Sequence, residues 1–327
     1  MRKTEVANGF DPQTVSRAVS LLRNGEVVAF PTETVYGLGA DAYNAVAVAR
    51  IFELKKRPHF DPLIVHVSQR TWVSDLVTEI PARAKLLMDR FWPGPLTIIL
   101  PKNEIVPDIV TAGLSTVGIR MPNHPVALNL IERLGRPIAA PSANPFGYMS
   151  TTRAVDVASL FDDRLPMILD GGPSSFGIES TIVSLSGETV ILHRHGSVSA
   201  EELSAVVGDV AEKKTDDTCE APGELPYHYA PLTPLAIVVG PEEIGVESSA
   251  FLSFAEPTSA VKSRFVKVLS QTGELREAAA NFFSYLIQLD RKGTDIIYAQ
   301  KMPEKGLGRA MMERLRKAAQ KRKVVNR

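Results

Sequence analysis

The chain has 327 residues, more than one hydrophobic core usually serves, and 44% of them are apolar, so two folded domains are expected and a disordered polymer is excluded. Lysine plus arginine and aspartate plus glutamate both number 37, which leaves no global field to draw in a nucleic acid or an anionic membrane; any anion site has to be local. The single Cys219 excludes an internal disulfide framework and a multi-cysteine zinc site, the N-terminus lacks the apolar core of a signal peptide, and no apolar run approaches the roughly 20 residues that span a bilayer, so a cytoplasmic protein is expected.

Asp11-Pro12 supplies an N-cap followed by proline at the first helical position, and Val15, Ala18, Val19 and Leu22 recur at helical spacing up to Gly25. Residues 27–30 read as a short buried strand running into PTETVYGLGADA, where Pro31 and two glycines predict a polar loop at a strand end. Asn44 caps a second helix over 45–54, whose last turn meets Lys55, Lys56 and Arg57 before Pro58 stops it. Those cations either complement the helix C-terminus or clamp phosphates. In residues 62–67, Leu63, Val65 and Val67 share one face and leave Ile64 and His66 on the other, where the histidine is either structural or a ligand.

A helix over 82–91, the strand PGPLTIIL and a strand within 113–121 follow, the last carrying Ser115, Thr116 and Arg120. A helix over 126–134 leads to PIAAPSAN, in which an apolar strand of Ile138, Ala139 and Ala140 stops at Pro141 and opens into Ser142 and Asn144. In an extended segment those two small polar side chains face one way, which suits gripping phosphate or sugar oxygens; an ordinary strand-exit turn reads the same. Ser150, Thr151 and Thr152 precede a helix over 154–160 and a strand over 167–169 that ends in Asp170-Gly171-Gly172. ESTIVSL and TVILHRHG predict a hairpin turning at Ser186-Gly187, with Ser180 and Thr181 at one end and Arg194 at the other, and Ser199 with Glu202 forms a capping box.

Residues 209–234 read as a linker. Beyond it, strands over 235–239, 250–254, 265–269 and 295–299 and helices over 274–290 and 307–319 predict a small α/β domain whose sheet is at least partly parallel. The linker carries Tyr227, His228 and Tyr229 between Pro226 and Pro231, stiff and aromatic, and therefore either a lid over a cavity or glue between domains. The basic end RLRKAAQKRKVVNR is either a solvated helix face or a nucleic-acid contact.

The sequence contains no G-x-x-x-x-G-K-[ST], no G-x-G-x-x-G after a strand, no H-E-x-x-H, no C-x-x-C and no G-x-S-x-G, which argues against P-loop, Rossmann dehydrogenase, zinc-protease and serine-hydrolase chemistry. What remains is a set of separated cations and hydroxyls near strand ends, suited to a polyanion and a small polar molecule.

PTETVYGLGADA, KKRPHFDPLIVHV, FWPGPLTIIL, VGIRMPNHP, APSANPFG, ESTIV and the linker motif HYAP together resemble the threonylcarbamoyl-AMP synthase family in its long form. The resemblance runs over 25–199, the linker, and KGLGRAMMERLRKAA near the C-terminus. It implies an α/β protein with a twisted-sheet YrdC-like catalytic domain around a concave cavity (1–208), a linker or lid (209–234) and a small Rossmann-like domain (235–327). It implies a nucleotidyltransferase that joins L-threonine, bicarbonate or CO2, and ATP into threonylcarbamoyl-AMP and pyrophosphate. The product then feeds threonylcarbamoyladenosine synthesis in tRNA through downstream transfer proteins.

By that resemblance Lys55, Arg57, Asp61, Thr116, Ser142, Asn144, Ser150, Arg194 and Tyr229 would hold ATP, and Thr34, His66, Arg120, Ala140 and Ser180 would hold threonine. Lys55, Arg57 and Arg194 would act by positioning and charge, with no covalent role for any side chain. Magnesium is expected with the triphosphate, with no organic prosthetic group, and no carboxylate cluster identifies protein ligands for it. Three departures touch the nucleotide contacts: His195 where the family commonly has proline, Phe146-Gly147-Tyr148-Met149 in place of Ser-Gly-Arg-Pro, and Tyr227 where arginine often precedes HYAP. Two other readings compete. An RNA-binding module is disfavoured by neutral charge and absent stacking motifs, though direct tRNA contact stays open; a carbamoyl-transfer domain would lack its acylphosphatase and zinc-finger portions.

Overall fold

The computed structural model describes residues 3–186, 189–213, 221–223 and 229–325. Among them eleven strands form one sheet: β1 (Glu5–Asn8), β2 (Val28–Phe30), β3 (Gly37–Asp41), β4 (Ile64–His66), β5 (Leu96–Pro101), β6 (Thr116–Arg120), β7 (Ile138–Ala140), β8 (Met167–Asp170), β9 (Thr181–Ser186), β10 (Thr189–Arg194) and β11 (Val210–Glu212). Their spatial order is β1-β8-β2-β3-β7-β4-β6-β5-β9-β10-β11. The connecting helices are α1 (Pro12–Arg23), α2 (Ala45–Lys55), α3 (Val73–Leu76), α4 (Ala82–Phe91), α5 (Asp108–Thr111), α6 (Pro125–Leu134), α7 (Ala154–Phe161) and α8 (Ala200–Val207).

Local chemistry fixes the helix starts. The Asp11 carboxylate accepts from the Thr14 amide at 2.8 Å with Pro12 opening α1, Asn44 accepts from the amides of Val46 and Ala47, and Ser199 and Glu202 close a capping box on α8. Side chains one residue apart in a strand take opposite faces of the sheet. Ala29, Ala139 and Ile168 accordingly join the core beneath α2, α4, α7 and α8. Val28, Phe30, Ile138 and Ala140 turn to the other side, under α1 and α6. Those two helices cover only one end of that second face. Further along it, β4 and β6 present Ile64, His66 and Arg120 to a concavity.

PTETVYGLGADA, expected as a polar loop, contains the buried strand β3, paired antiparallel with both β2 and β7. Its glycines are there for closeness: a Cβ on Gly39 would lie 2.6 Å from Ile138 Cγ2 and 2.7 Å from a Phe30 ring carbon. Strand β11 lies inside the stretch read as linker and pairs in parallel with β10. Strand β1, which pairs with β8, and the one-turn helices α3 and α5 were not expected, since four residues are too few for a periodic signal.

The C-terminal part contains β12 (Leu235–Val238), β13 (Ser249–Ser253), β14 (Phe265–Val268), α9 (Leu275–Asp290), β15 (Ile296–Gln300) and α10 (Leu307–Val325). All three strand pairings are parallel, in the order β12-β15-β13-β14. Its core is shared with the larger part, because Val35, Tyr148, Met149 and Ile178 pack with Phe282, Phe283 and Met311. Tyr148 donates to Asp290 Oδ2 at 2.6 Å, Arg291 stands 3.1 Å from Asp156, and the Arg276 guanidinium lies 3.7 Å from the Phe176 ring centre. The Tyr148-Met149 departure is thus used for docking the second domain. No helix among the described residues is long and apolar enough to cross a membrane.

Candidate active site

A cavity opens on the concave face. Among the residues expected for threonine, Thr34, His66, Arg120, Ala140 and Ser180 all line it; of those expected for ATP, Arg57, Ser142, Arg194 and Tyr229 do. Lys55, Asp61, Thr116, Asn144 and Ser150 do not.

Register explains the first group. Strands β4 and β6 run parallel with His66 opposite Arg120, and β4 pairs with β7 so that Ile64 lies opposite Ala140. Arg120 Nη2 is 2.7 Å from Glu33 Oε1, and its Nε donates to the Gly94 carbonyl at 3.3 Å. Arg120 Nη2 and both Glu33 carboxylate oxygens are buried without an aligned hydrogen bond. Burial first, then the neighbouring Arg120 charge, push His66 down to about 3, so its ring is neutral near neutral pH. Its Nδ1 lies 3.1 Å from the Ile64 carbonyl and its ring meets Phe30 edge-on. Ser180 Oγ is 2.9 Å from Thr97 Oγ1, and Thr32 and Thr34 share a 2.8 Å hydroxyl contact.

The nucleotide candidates divide. Lys55 is buried, and its Nζ donates to the Ser142 carbonyl at 2.6 Å and to the Asn144 carbonyl, tying the end of α2 to the loop after β7. Burial, with the Arg57 charge adding to it, holds this amine well below the ordinary lysine range. Arg57 pairs with Asp61 at 2.8 Å, both almost wholly buried, and also donates to the carbonyls of Asp61 and Pro62. Ser142 and Asn144 do not face one way: the Asn144 amide turns back to the Ser142 carbonyl at 3.0 Å, which breaks the extended geometry. Asn144 then donates inward to the carbonyls of Pro145 and Tyr148. Thr116 opens onto a neighbouring apolar cleft with Ile64, Ile99 and Ile182.

Arg194 ties the start of β9 to the linker, donating from Nε and Nη2 to the Ser180 carbonyl at 3.1 and 2.9 Å and from Nη1 to the Pro222 carbonyl at 2.9 Å. Tyr229, at φ 66°, is 2% exposed and stacks with Phe283 at 5.8 Å. Pro222, Gly223 and Tyr229 bring the linker to the cavity; Tyr227, His228 and Cys219 lie outside the described residues.

Sequence reasoning missed Glu33, Glu179 and Arg314. Glu179 lines the cavity, its Oε1 accepts from Ser150, and Oε2 accepts from Arg314 Nε at 2.8 Å. Burial alone would raise its carboxyl, but Arg314 and Arg194 hold it below the usual range. Both glutamates sit inside the motifs PTETV and ESTIV, where flanking hydroxyls drew the attention; Arg314 looked like one more helix-surface cation.

The profile described as telomere recombination, covering Sua5, YciO and YrdC, matches residues 20–196, and the threonylcarbamoyl-AMP synthase C-terminal domain profile matches 198–320. The chain belongs to the threonylcarbamoyl-AMP synthase family. It is 45% identical to the Bacillus subtilis threonylcarbamoyl-AMP synthase over 94% of this chain and 93% of that one. It is 43% identical to that of Pyrococcus abyssi over 92% and 93%. The crystal structure of P. abyssi Sua5 complexed with L-threonine superposes with a TM-score of 0.89 at 41% identity, covering 97% of this chain and 98% of the other. Threonylcarbamoyl-AMP synthases of this two-domain build are α/β enzymes, and the fold described above is theirs.

Proposed function

We propose that the concave cavity is where this chain makes threonylcarbamoyl-AMP from L-threonine, bicarbonate or CO2, and ATP. The observation that carries this reading is one cavity lined together by Arg120, His66 and Ser180 and by Arg57, Arg194 and Tyr229. Arg120, held by the Glu33 carboxylate at 2.7 Å, offers a planar donor fork of the kind that matches the carboxylate of an amino acid. The neutral His66 ring adds no charge against the substrate amine. Thr34 and Ser180 supply hydroxyls.

The threonine amine takes up CO2 as a carbamate, losing a proton; from bicarbonate the by-product is water. A carbamate oxygen then attacks the α-phosphorus of ATP, and the bond to the bridging oxygen of pyrophosphate breaks as the new P–O bond forms. Positioning and charge neutralisation by Arg57 and Arg194 are what the protein contributes, and no side chain needs to act as a nucleophile. Lys55, Asp61, Asn144 and Ser150 support the nucleotide side from behind, through the contacts to Ser142, Arg57, Tyr148 and Glu179. Thr116 and the apolar cleft beside it lie next in line for the nucleoside.

Magnesium would enter with the triphosphate, easing its charge. The cavity carboxylates Glu33 and Glu179 already face arginines, and no group of three His, Cys, Asp or Glu among the described residues could hold a metal. The described residues therefore supply no ready cluster of protein ligands for the ion. The linker serves as a cover, with Pro222, Gly223 and Tyr229 as its inner surface, keeping water from the carbamate and the acyl adenylate. The product passes to proteins that transfer threonylcarbamoyl to tRNA. The test is pyrophosphate release from ATP with threonine and bicarbonate omitted in turn: release requires both, and full-rate ATP cleavage without threonine sinks the reading.

A further inference from the structure

Helix α10 of the second domain sends one arginine into the first. Arg314 is 1% exposed. Besides the 2.8 Å bond from Nε to Glu179 Oε2, its Nη1 donates to the His195 carbonyl at 2.8 Å and to the Ala310 carbonyl at 3.0 Å. Its guanidinium carbon lies 5.2 Å from the centre of the Tyr229 ring. Glu179, Arg194 and Tyr229 all line the cavity, so the one arginine touches two of its wall residues and the residue following a third.

A carboxylate in the wall of a cavity built for a triphosphate is a puzzle. At a few ångströms in a partly desolvated site, two like charges repel by several kcal/mol. Glu179 nevertheless stays ionised, because Arg314 faces it from the second domain at 2.8 Å, with the Arg194 charge adding to the effect. We infer that Arg314 is a positioning residue for the adenylation reaction: from α10 it cancels the Glu179 charge and steadies the Tyr229 ring, so that a polyanionic nucleotide meets a compensated wall. The inference rests on the assignment of the nucleotide to the Arg194 side of the cavity. It makes the second domain part of the active site, since the helix that carries the compensating charge is not part of the catalytic sheet.

Structural cement and charge compensation predict different kinetics. Steady-state pyrophosphate release is measured on the full chain for Arg314→Met, Arg314→Lys, Glu179→Gln and the Arg314→Met/Glu179→Gln pair. Arg314→Met strips a buried carboxylate of its bonded guanidinium, leaving it only the Ser150 hydroxyl and the more distant Arg194 charge, and raises the KM for ATP by roughly tenfold or more, with the KM for threonine changed by less than about threefold. Arg314→Lys, which keeps the charge and loses the fork, falls between this and the parent. Adding Glu179→Gln removes the stranded charge and returns the KM for ATP to within about threefold of the parent. A KM for ATP in Arg314→Met within about twofold of the parent, or a double variant as impaired as the single one, overturns the inference. Where Arg314→Met does not fold, the double variant decides alone: a near-parental KM for ATP supports compensation and a tenfold rise, about 1.4 kcal/mol, refutes it. Arg194→Ala in the same assay reports on the nucleotide assignment itself. If it leaves the KM for ATP unchanged, that assignment fails and takes the inference with it.

Discussion

Arg120 Nη2 sits 2.7 Å from Glu33 Oε1, with the two side chains only 4% and 3% exposed. A buried arginine that loses its counter-charge destabilises a protein by about 3–5 kcal/mol. Glu33→Gln should therefore lower the melting temperature, and L-threonine, whose carboxylate restores the missing charge, should raise it again by more than it raises the parent's. Equal threonine-induced shifts in the two proteins would separate Arg120 from carboxylate binding.

Arg57 and Asp61 form the second buried pair, and their roles can be pulled apart. Arg57→Ala takes the 2.8 Å guanidinium away from an aspartate that is 0% exposed, so stability and ATP affinity both fall. Combining it with Asp61→Asn should recover most of the stability while ATP binding stays weak, since a charge-assisted contact worth about 1.5–3 kcal/mol is gone. Denaturant midpoints and nucleotide titrations on the three variants check this. Recovery of ATP affinity in the double variant would make Arg57 a structural residue.

His66 gives the protein an acid sensitivity with a definite sign. Its folded value near 3 lies below the ordinary 6.5, so between those limits the unfolded chain binds the extra proton and stability rises with pH. The contribution is complete above about 6.5 and drains away as the solution is acidified, by at most about 1.4 kcal/mol per pH unit. Urea midpoints of the parent and His66→Gln should converge on acidification from pH 6.5 to 4.5. Parallel curves would mean that the ring titrates normally in the folded protein.

Tyr229 holds a left-handed backbone angle while its ring is buried against Phe283, a combination that tertiary contacts must enforce because the conformation itself costs a tyrosine about 1 kcal/mol or more. If the ring is the inner surface of a cover, Tyr229→Ala should release more free threonine and AMP per pyrophosphate formed, with circular dichroism unchanged. A ratio equal to the parent's, with only the domain contact loosened, would make the ring glue between domains.

Much of this is legible in the sequence alone. Helix starts at Asp11, Asn44 and Ser199 are written in capping chemistry within four residues, and the alternation around His66 put it on the face opposite Leu63 and Val65. The motif residues that reach the cavity sit at strand ends whose short range the sequence announces. Strand β3 was hidden because glycine and proline read as loop signals, while here glycine serves a close approach to Ile138 and Phe30. The inward turn of Asn144 depends on one amide reversing toward Ser142, which no periodicity records. Arg314 could not be found from its own neighbourhood, because its partner Glu179 is 135 positions away in the chain.

The tight seam at Gly177 limits how the chain can be taken apart. Any side chain there would collide with α9, a Cβ coming within 2.1 Å of the Ala279 carbonyl, so the two halves meet backbone to backbone. Cutting the chain in the linker would turn Val35, Tyr148, Met149 and Ile178 from interior into surface, an adhesive patch on whichever fragment kept them. The catalytic half expressed alone is thus a candidate for aggregation, and a failure of that fragment to work would say nothing about which half performs the chemistry.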